Sequence, residues 1–87
     1  MQVAVELFGI PRARAGLAQT SARGSNLGDV LADLAQRFPL LAETCINGRS
    51  LRPGYIVNLG TKRFVTAPDT PLDEGDRVLL MSLDAGG

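Results

Sequence analysis

The sequence predicts an α+β domain in which one mixed sheet carries a single helix across one face. Three observations lead there. Period-two apolar segments stand near both ends of the chain, one stretch between them repeats its apolar residues at helical spacing, and turn signals divide the remainder into short strands. Eighty-seven residues with 45% apolar and 21% charged side chains make one globular domain. A chain this short has no room for a second core and buries only about 60–65% of its unfolded surface.

The elements follow in order. Gln2-Val3-Ala4-Val5-Glu6-Leu7 sets Val3, Val5 and Leu7 on one side and Ala4 and Glu6 on the other, the pattern of a half-buried strand. Phe8-Gly9-Ile10-Pro11 breaks it. Residues 17–23 return as a second short strand, although Ala, Gln and Ser are weak strand formers. The helix comes next, because Leu27, Val30, Leu31, Leu34, Ala35 and Phe38 form one apolar stripe. Asn26 is placed to cap it and Asp29 to favour its positive end. Asp33 and Arg37 pair one turn apart, and Pro39 stops the helix, since the residue before a proline avoids helical backbone.

Thr44-Cys45-Ile46 then reads as a short strand closed by the turn Asn47-Gly48. Residues 55–59 and 63–66 flank Gly60-Thr61-Lys62 as a further hairpin. Pro68-Asp69-Thr70-Pro71 and Asp73-Glu74-Gly75-Asp76 are turns, and residues 77–83 are the last strand, apolar on both faces. A hairpin, a crossover helix and returning strands make a β-grasp. The domain spans residues 1–83, and Asp84-Ala85-Gly86-Gly87 is expected to form a flexible tail.

Composition removes most catalytic chemistries. There is no histidine and one cysteine, Cys45, so no internal disulfide, Cys/His zinc site, iron–sulfur cluster or His-activated nucleophile can be built. Nine cations balance nine acids, which offers no argument for nucleic acid or membrane binding. No basic leader with an apolar core opens the sequence and no apolar run approaches about 18 residues, so a cytoplasmic setting is expected. Asp69, Asp73, Glu74 and Asp76 do not match a calcium loop and read as turn caps. Cys45, with no cation within three positions, reads as a buried structural thiol. No metal or cofactor site is expected on this chain.

Gly86-Gly87 follows a strand and so does not cap a helix. A frayed terminus explains the pair, but so does a use: a tail without Cβ atoms is thin enough to thread a narrow channel into a partner's active site. Ordering it costs about 1–2 kcal/mol per residue, so docking energy must come from elsewhere on the surface.

With these motifs in place, the chain resembles the ubiquitin-like sulfur carriers. Phe8-Gly9 with Ala15-Gly16, the run Asn26-Leu27-Gly28-Asp29-Val30-Leu31 with Arg37-Phe38-Pro39, and Ile46-Asn47-Gly48 are similar to motifs of the molybdopterin type. So are Asp69-Thr70-Pro71-Leu72, Gly75-Asp76, Val78 and the final Gly86-Gly87. The thiamine-biosynthesis carriers share the same plan. The resemblance implies a ubiquitin-like β-grasp and a division of labour. A partner adenylating enzyme uses ATP and Mg²⁺ to activate the Gly87 carboxylate, sulfur converts it to a thiocarboxylate, and a sulfur-accepting enzyme subunit takes that sulfur. Two features depart from the molybdopterin pattern: Ser82-Leu83-Asp84 precede the tail, and a twenty-residue basic insert, 49–68, precedes Asp69. With four cations and no acid, the insert stands beside an acidic end, where Asp69, Asp73, Glu74, Asp76 and Asp84 outnumber Arg77, and this asymmetry reads as a basis for partner recognition.

Two other roles use the same fold: a protein modifier that joins target lysines through its C-terminus, and a non-covalent interaction domain with an idle tail. The partner surface is expected on the last strand. If Val78 and Leu80 face the helix, then Leu79, Met81 and Leu83 form an apolar row leading to Asp84, Ala85, Gly86 and Gly87. That row is either covered by the additional hairpin or free for docking.

Overall fold

In the computed structural model, residues 1–83 are described. Five strands form the main sheet: β1 (Gln2–Leu7), β2 (Gln19–Arg23), β5 (Tyr55–Leu59), β6 (Arg63–Val65) and β7 (Arg77–Ser82). Two more, β3 (Ile46–Asn47) and β4 (Ser50–Leu51), make a small hairpin at one side. The sheet order is β2-β1-β7-β5-β6. The pair β1–β7 is parallel and the other pairs are antiparallel, so the sheet is mixed. The α+β β-grasp expected from the sequence is the fold observed.

The main helix, α2 (Leu27–Arg37), has the predicted stripe: Leu27, Val30, Leu31 and Leu34 are fully buried. Each such side chain contributes about 1.5–3 kcal/mol relative to exposure. They pack on Val3, Val5, Leu7, Val57, Leu59, Val78 and Leu80 in one continuous core. Asn26 caps the helix as expected, its Oδ1 accepting the Asp29 N–H at 2.8 Å. Asp29 in turn accepts from the Ser25 N–H and hydroxyl. Asp33 and Arg37 pair at 3.3 Å.

Two helices and two strand boundaries differ from expectation. Ile10–Ala15 is a short helix, α1, with Pro11 buried in its first turn and Gly16 closing it at φ 81°. Six residues are too few to show a helical period. Pro39 does end α2, yet it also opens α3 (Pro39–Thr44), because a proline lacks only the N–H that a first-turn residue leaves unpaired. Thr44 and Cys45 therefore belong to the helix and its C-cap, not to a strand; the strand begins at Ile46. The last strand stops at Ser82, and Leu83 lies in a turn. The expected tail, residues 84–87, lies outside the described residues.

The insert 49–68 is the structural completion of the sheet, since β5 within it pairs with β7 along five positions. Its cations do not form one basic surface. Arg49 reaches back to α2, with Nη1 2.7 Å from Asp29 and Nη2 3.2 Å from Asn26, while Arg52 and Lys62 sit at opposite ends of β5. Strand pairing thus spreads the charges of the insert rather than gathering them on one surface.

Candidate functional site: the open face of the sheet and its last strand

Strand alternation gives β7 two faces. Val78 and Leu80 point into the core beneath α2, as expected. Arg77, Leu79 and Met81 occupy the opposite face, where register continues them into β5 and β6. Met81 stands across from Ile56, Leu79 from Asn58, and Asn58 from Phe64. The row expected on β7 is therefore the centre of a wider apolar patch of Leu79, Met81, Ile56 and Phe64, with Leu83 where the chain leaves the sheet. Leu79 is 9% exposed and Phe64 60%, so the patch has a packed floor and a raised rim. Ile56 and Phe64 were missed from the sequence. Alternation placed them on a face, but only the register β5–β7–β6 brings that face beside β7.

Of the two fates weighed for this row, the hairpin does not cover it. The strands β5 and β6 pair edge to edge with β7 and extend the sheet sideways. The helices pack with one another against the other side, α1 and α2 each against α3. One polar group lies within the patch: the Asn58 Oδ1 is buried without a hydrogen-bond partner among the described residues.

The far end of the same face holds an open cleft of about 450 Å³ lined by Glu6, Gly60, Lys62, Asp76, Arg77 and Leu79. Glu6 and Arg77 pair across β1 and β7 at 2.9 Å. The acidic turn before β7 behaves as a turn: the Asp76 Oδ2 accepts the Asp73 N–H at 2.7 Å. Among the described residues no group of three or more His, Cys, Asp or Glu side chains could hold a metal ion, and no helix is long and apolar enough to cross a membrane.

Cys45 is fully buried in the core, which is the structural reading given to it. Burial pushes its thiol pKa up, while a hydrogen bond from Tyr55 and the fields of Arg14 and Arg52 act the other way. The net result is a neutral, shielded thiol. Asp29 shifts downward, chiefly through its hydrogen bond from the Arg49 guanidinium and then that from the Ser25 N–H.

Of the sequence-predicted site residues, Leu79, Met81 and Leu83 lie together on the open face, and Asp84, Ala85, Gly86 and Gly87 fall outside the described residues. The described residues end at Leu83, just past β7, which lies hydrogen-bonded between β1 and β5 beside the apolar patch.

Comparison with known proteins agrees with this architecture. The ThiS family model matches residues 5–87. SAMP1 from Haloferax volcanii superposes with a TM-score of 0.79 at 20% identity, over 100% of both chains. The Haloferax volcanii HVO 2177 protein gives 0.77 at 27% identity over 100% of this chain and 87% of its own. A chain of the Amycolatopsis orientalis BexX/CysO complex gives 0.78 at 19% identity over 98% and 99%. No curated protein matches the sequence.

Proposed function

The chain belongs to the ThiS family, and from that membership we propose that it is a ubiquitin-like sulfur carrier acting through Gly87. The family match over residues 5–87 carries the reading. The open apolar face beside the root of the tail supports it, because a tail that is costly to order needs docking energy from a neighbouring surface. Leu79, Met81 and Leu83, joined by Ile56 and Phe64, supply that surface to a partner enzyme.

The chemistry follows from the carboxylate. A free carboxylate is a poor electrophile. In the proposed cycle the Gly87 carboxylate oxygen attacks the α-phosphorus of ATP in a partner adenylating enzyme, and pyrophosphate departs with the Mg²⁺ that the partner holds. A sulfur nucleophile then displaces AMP and leaves a thiocarboxylate, which a second enzyme subunit accepts as its sulfur source. This chain contributes no acid, base or metal to these steps. Its part is to dock, to thread Ala85-Gly86-Gly87 into the channel and to carry the reactive end. The motifs at 8–9, 26–31, 46–48 and 69–76 make a pterin-type acceptor the first to test.

Intact mass spectrometry after incubation with the adenylating enzyme, ATP and sulfide, whose attack on the acyl adenylate releases AMP with no change of oxidation state, tests the proposal. One oxygen exchanged for sulfur is expected, and it disappears when Gly87 is deleted. A chain ending in Gly87 that never gains that mass overturns the reading. Reductant-resistant adducts on lysines of other proteins instead establish the modifier role.

A further inference from the structure

We propose that Arg12, Arg14 and Arg52 form a basic collar around the point where β7 releases the tail, and that this collar docks on an acidic rim of the partner enzyme's tail-binding slot. The inference rests on the carrier reading above and adds to it the charge of the partner surface.

The placement comes from the sheet. Because β1 and β7 run parallel, the segment after β1 stands at the end of β7 from which the chain departs. The Phe8 N–H donates to the Leu80 carbonyl at 3.0 Å, and α1, carrying Arg12 and Arg14, packs against β7. From the other side, the Leu83 N–H donates to the Gly54 carbonyl at 2.8 Å, which brings residues 52–54 to the same exit. The Arg52 guanidinium is fixed there, donating from Nε and Nη2 to the Ala42 carbonyl at 3.1 and 3.0 Å. Arg14 and Arg52 both act electrostatically on Cys45, whose thiol meets Tyr55, and Tyr55 is the register partner of Ser82. Both cations are thus close enough to this end of the molecule for their fields to reach Cys45.

Of the six cations elsewhere, four stand with a carboxylate, while Arg23 and Arg63 join no ion pair among the described residues. Arg37, Arg49 and Arg77 each hold a carboxylate, and Lys62 shares its cleft with Glu6 and Asp76. Among the described residues no ion pair reaches Arg12, Arg14 or Arg52, and Glu43 on the adjoining α3 joins none of them. Guanidiniums with no carboxylate partner among the described residues fit carboxylates on a protein rim, where they speed and orient docking. Three cations on a chain of zero net charge make a poor nucleic acid track.

The test is ATP–pyrophosphate exchange by the adenylating enzyme with wild type, Arg12→Gln/Arg14→Gln and, at the opposite end of the sheet, Lys62→Gln/Arg63→Gln. At about 0.1 M salt the collar variant is expected to raise KM for the carrier roughly 10-fold with kcat retained. The gap should close toward about 1 M salt, where the Debye length is about 3 Å. The Lys62/Arg63 variant should match wild type. Equal KM for collar variant and wild type at low salt overturns the collar and leaves the carrier reading standing. No exchange by wild type overturns both. Low-micromolar binding of wild type to polyuridylate, lost in the collar variant, assigns the patch to RNA and also overturns the proposal.

Discussion

Gly24→Ala tests how tightly the end of β2 is pressed against the start of α2. A Cβ at residue 24 would lie 2.4 Å from the Asp29 Cβ, 2.9 Å from the Val30 N and 3.1 Å from the Asp29 carbonyl carbon. Carbon atoms pack best at about 3.5–4.0 Å, so roughly 1 Å of relief is needed. None of the three atoms can swing away, since two are backbone and the third is attached to it. If the strand end moves, the bonds Gly24 N–H to Met1 carbonyl (2.8 Å) and Leu72 N–H to Ser25 carbonyl (3.0 Å) are at risk. If the helix moves, those of Leu27 and Gly28 to Thr70 and Pro68 are at risk instead. Either route combines about 1–3 kcal/mol of overpacking with two hydrogen bonds at about 0.5–1.5 kcal/mol each. The expected loss is about 2–6 kcal/mol, a large share of the roughly 4–13 kcal/mol available to a domain of this size. Urea unfolding reads it: with m of about 1.5 kcal/mol/M, the midpoint falls by about 1–4 M. Gly54→Ala is the control, because its Cβ meets open space and only its φ of 94° resists. A midpoint for Gly24→Ala no lower than that of Gly54→Ala refutes the steric argument.

Three further outcomes are expected. Met81→Glu places a charge in the centre of the open patch and should raise KM for adenylation while shifting the urea midpoint little, because Met81 is not a core residue; unchanged activation counts against the patch. Asp29→Asn should lower stability at neutral pH. The Asp29 carboxyl sits below its ordinary 3.8 when folded, so its contribution is present above that value and is lost as pH falls through the lower folded one. The two denaturation curves should therefore converge in acid, and a gap that persists there refutes the assignment. Thr61→Gly should stabilise by about 0.5–1 kcal/mol, since Thr61 is a β-branched residue held at φ 67° in a turn that favours glycine; calorimetry should show a melting temperature about 5 °C higher.

Much of this architecture was legible from local pattern. The α2 stripe, the Asn26 cap, the hairpin at Gly60-Thr61-Lys62 and the two faces of β7 each follow from residues a few positions apart. The elements that escaped are those whose signal is short or ambiguous. Ile10–Ala15 spans too few residues to show a period, and Pro39 is equally a stop for one helix and a start for the next. The open apolar face was legible only along β7. Phe64 and Ile56 join it through strand order, which no local spacing encodes. Arg49 looked like part of a basic insert because its acceptors, Asp29 and Asn26, lie twenty or more positions away.

The position of β7 also governs how the molecule assembles. Strands β2 and β1 form one hairpin and β5 and β6 another, and within the sheet order β2-β1-β7-β5-β6 only β7 joins them. The two hairpins share no hydrogen-bonded strand pair except through β7, so the sheet is continuous only when that strand is in place. Amides of β7 should accordingly exchange with solvent through global opening rather than local fraying. Leu79 and Met81 ride on that same strand. A molecule in which β7 is not yet seated lacks the open apolar face as well as the continuous sheet, so in the proposed carrier role loss of β7 pairing would remove docking and stability together.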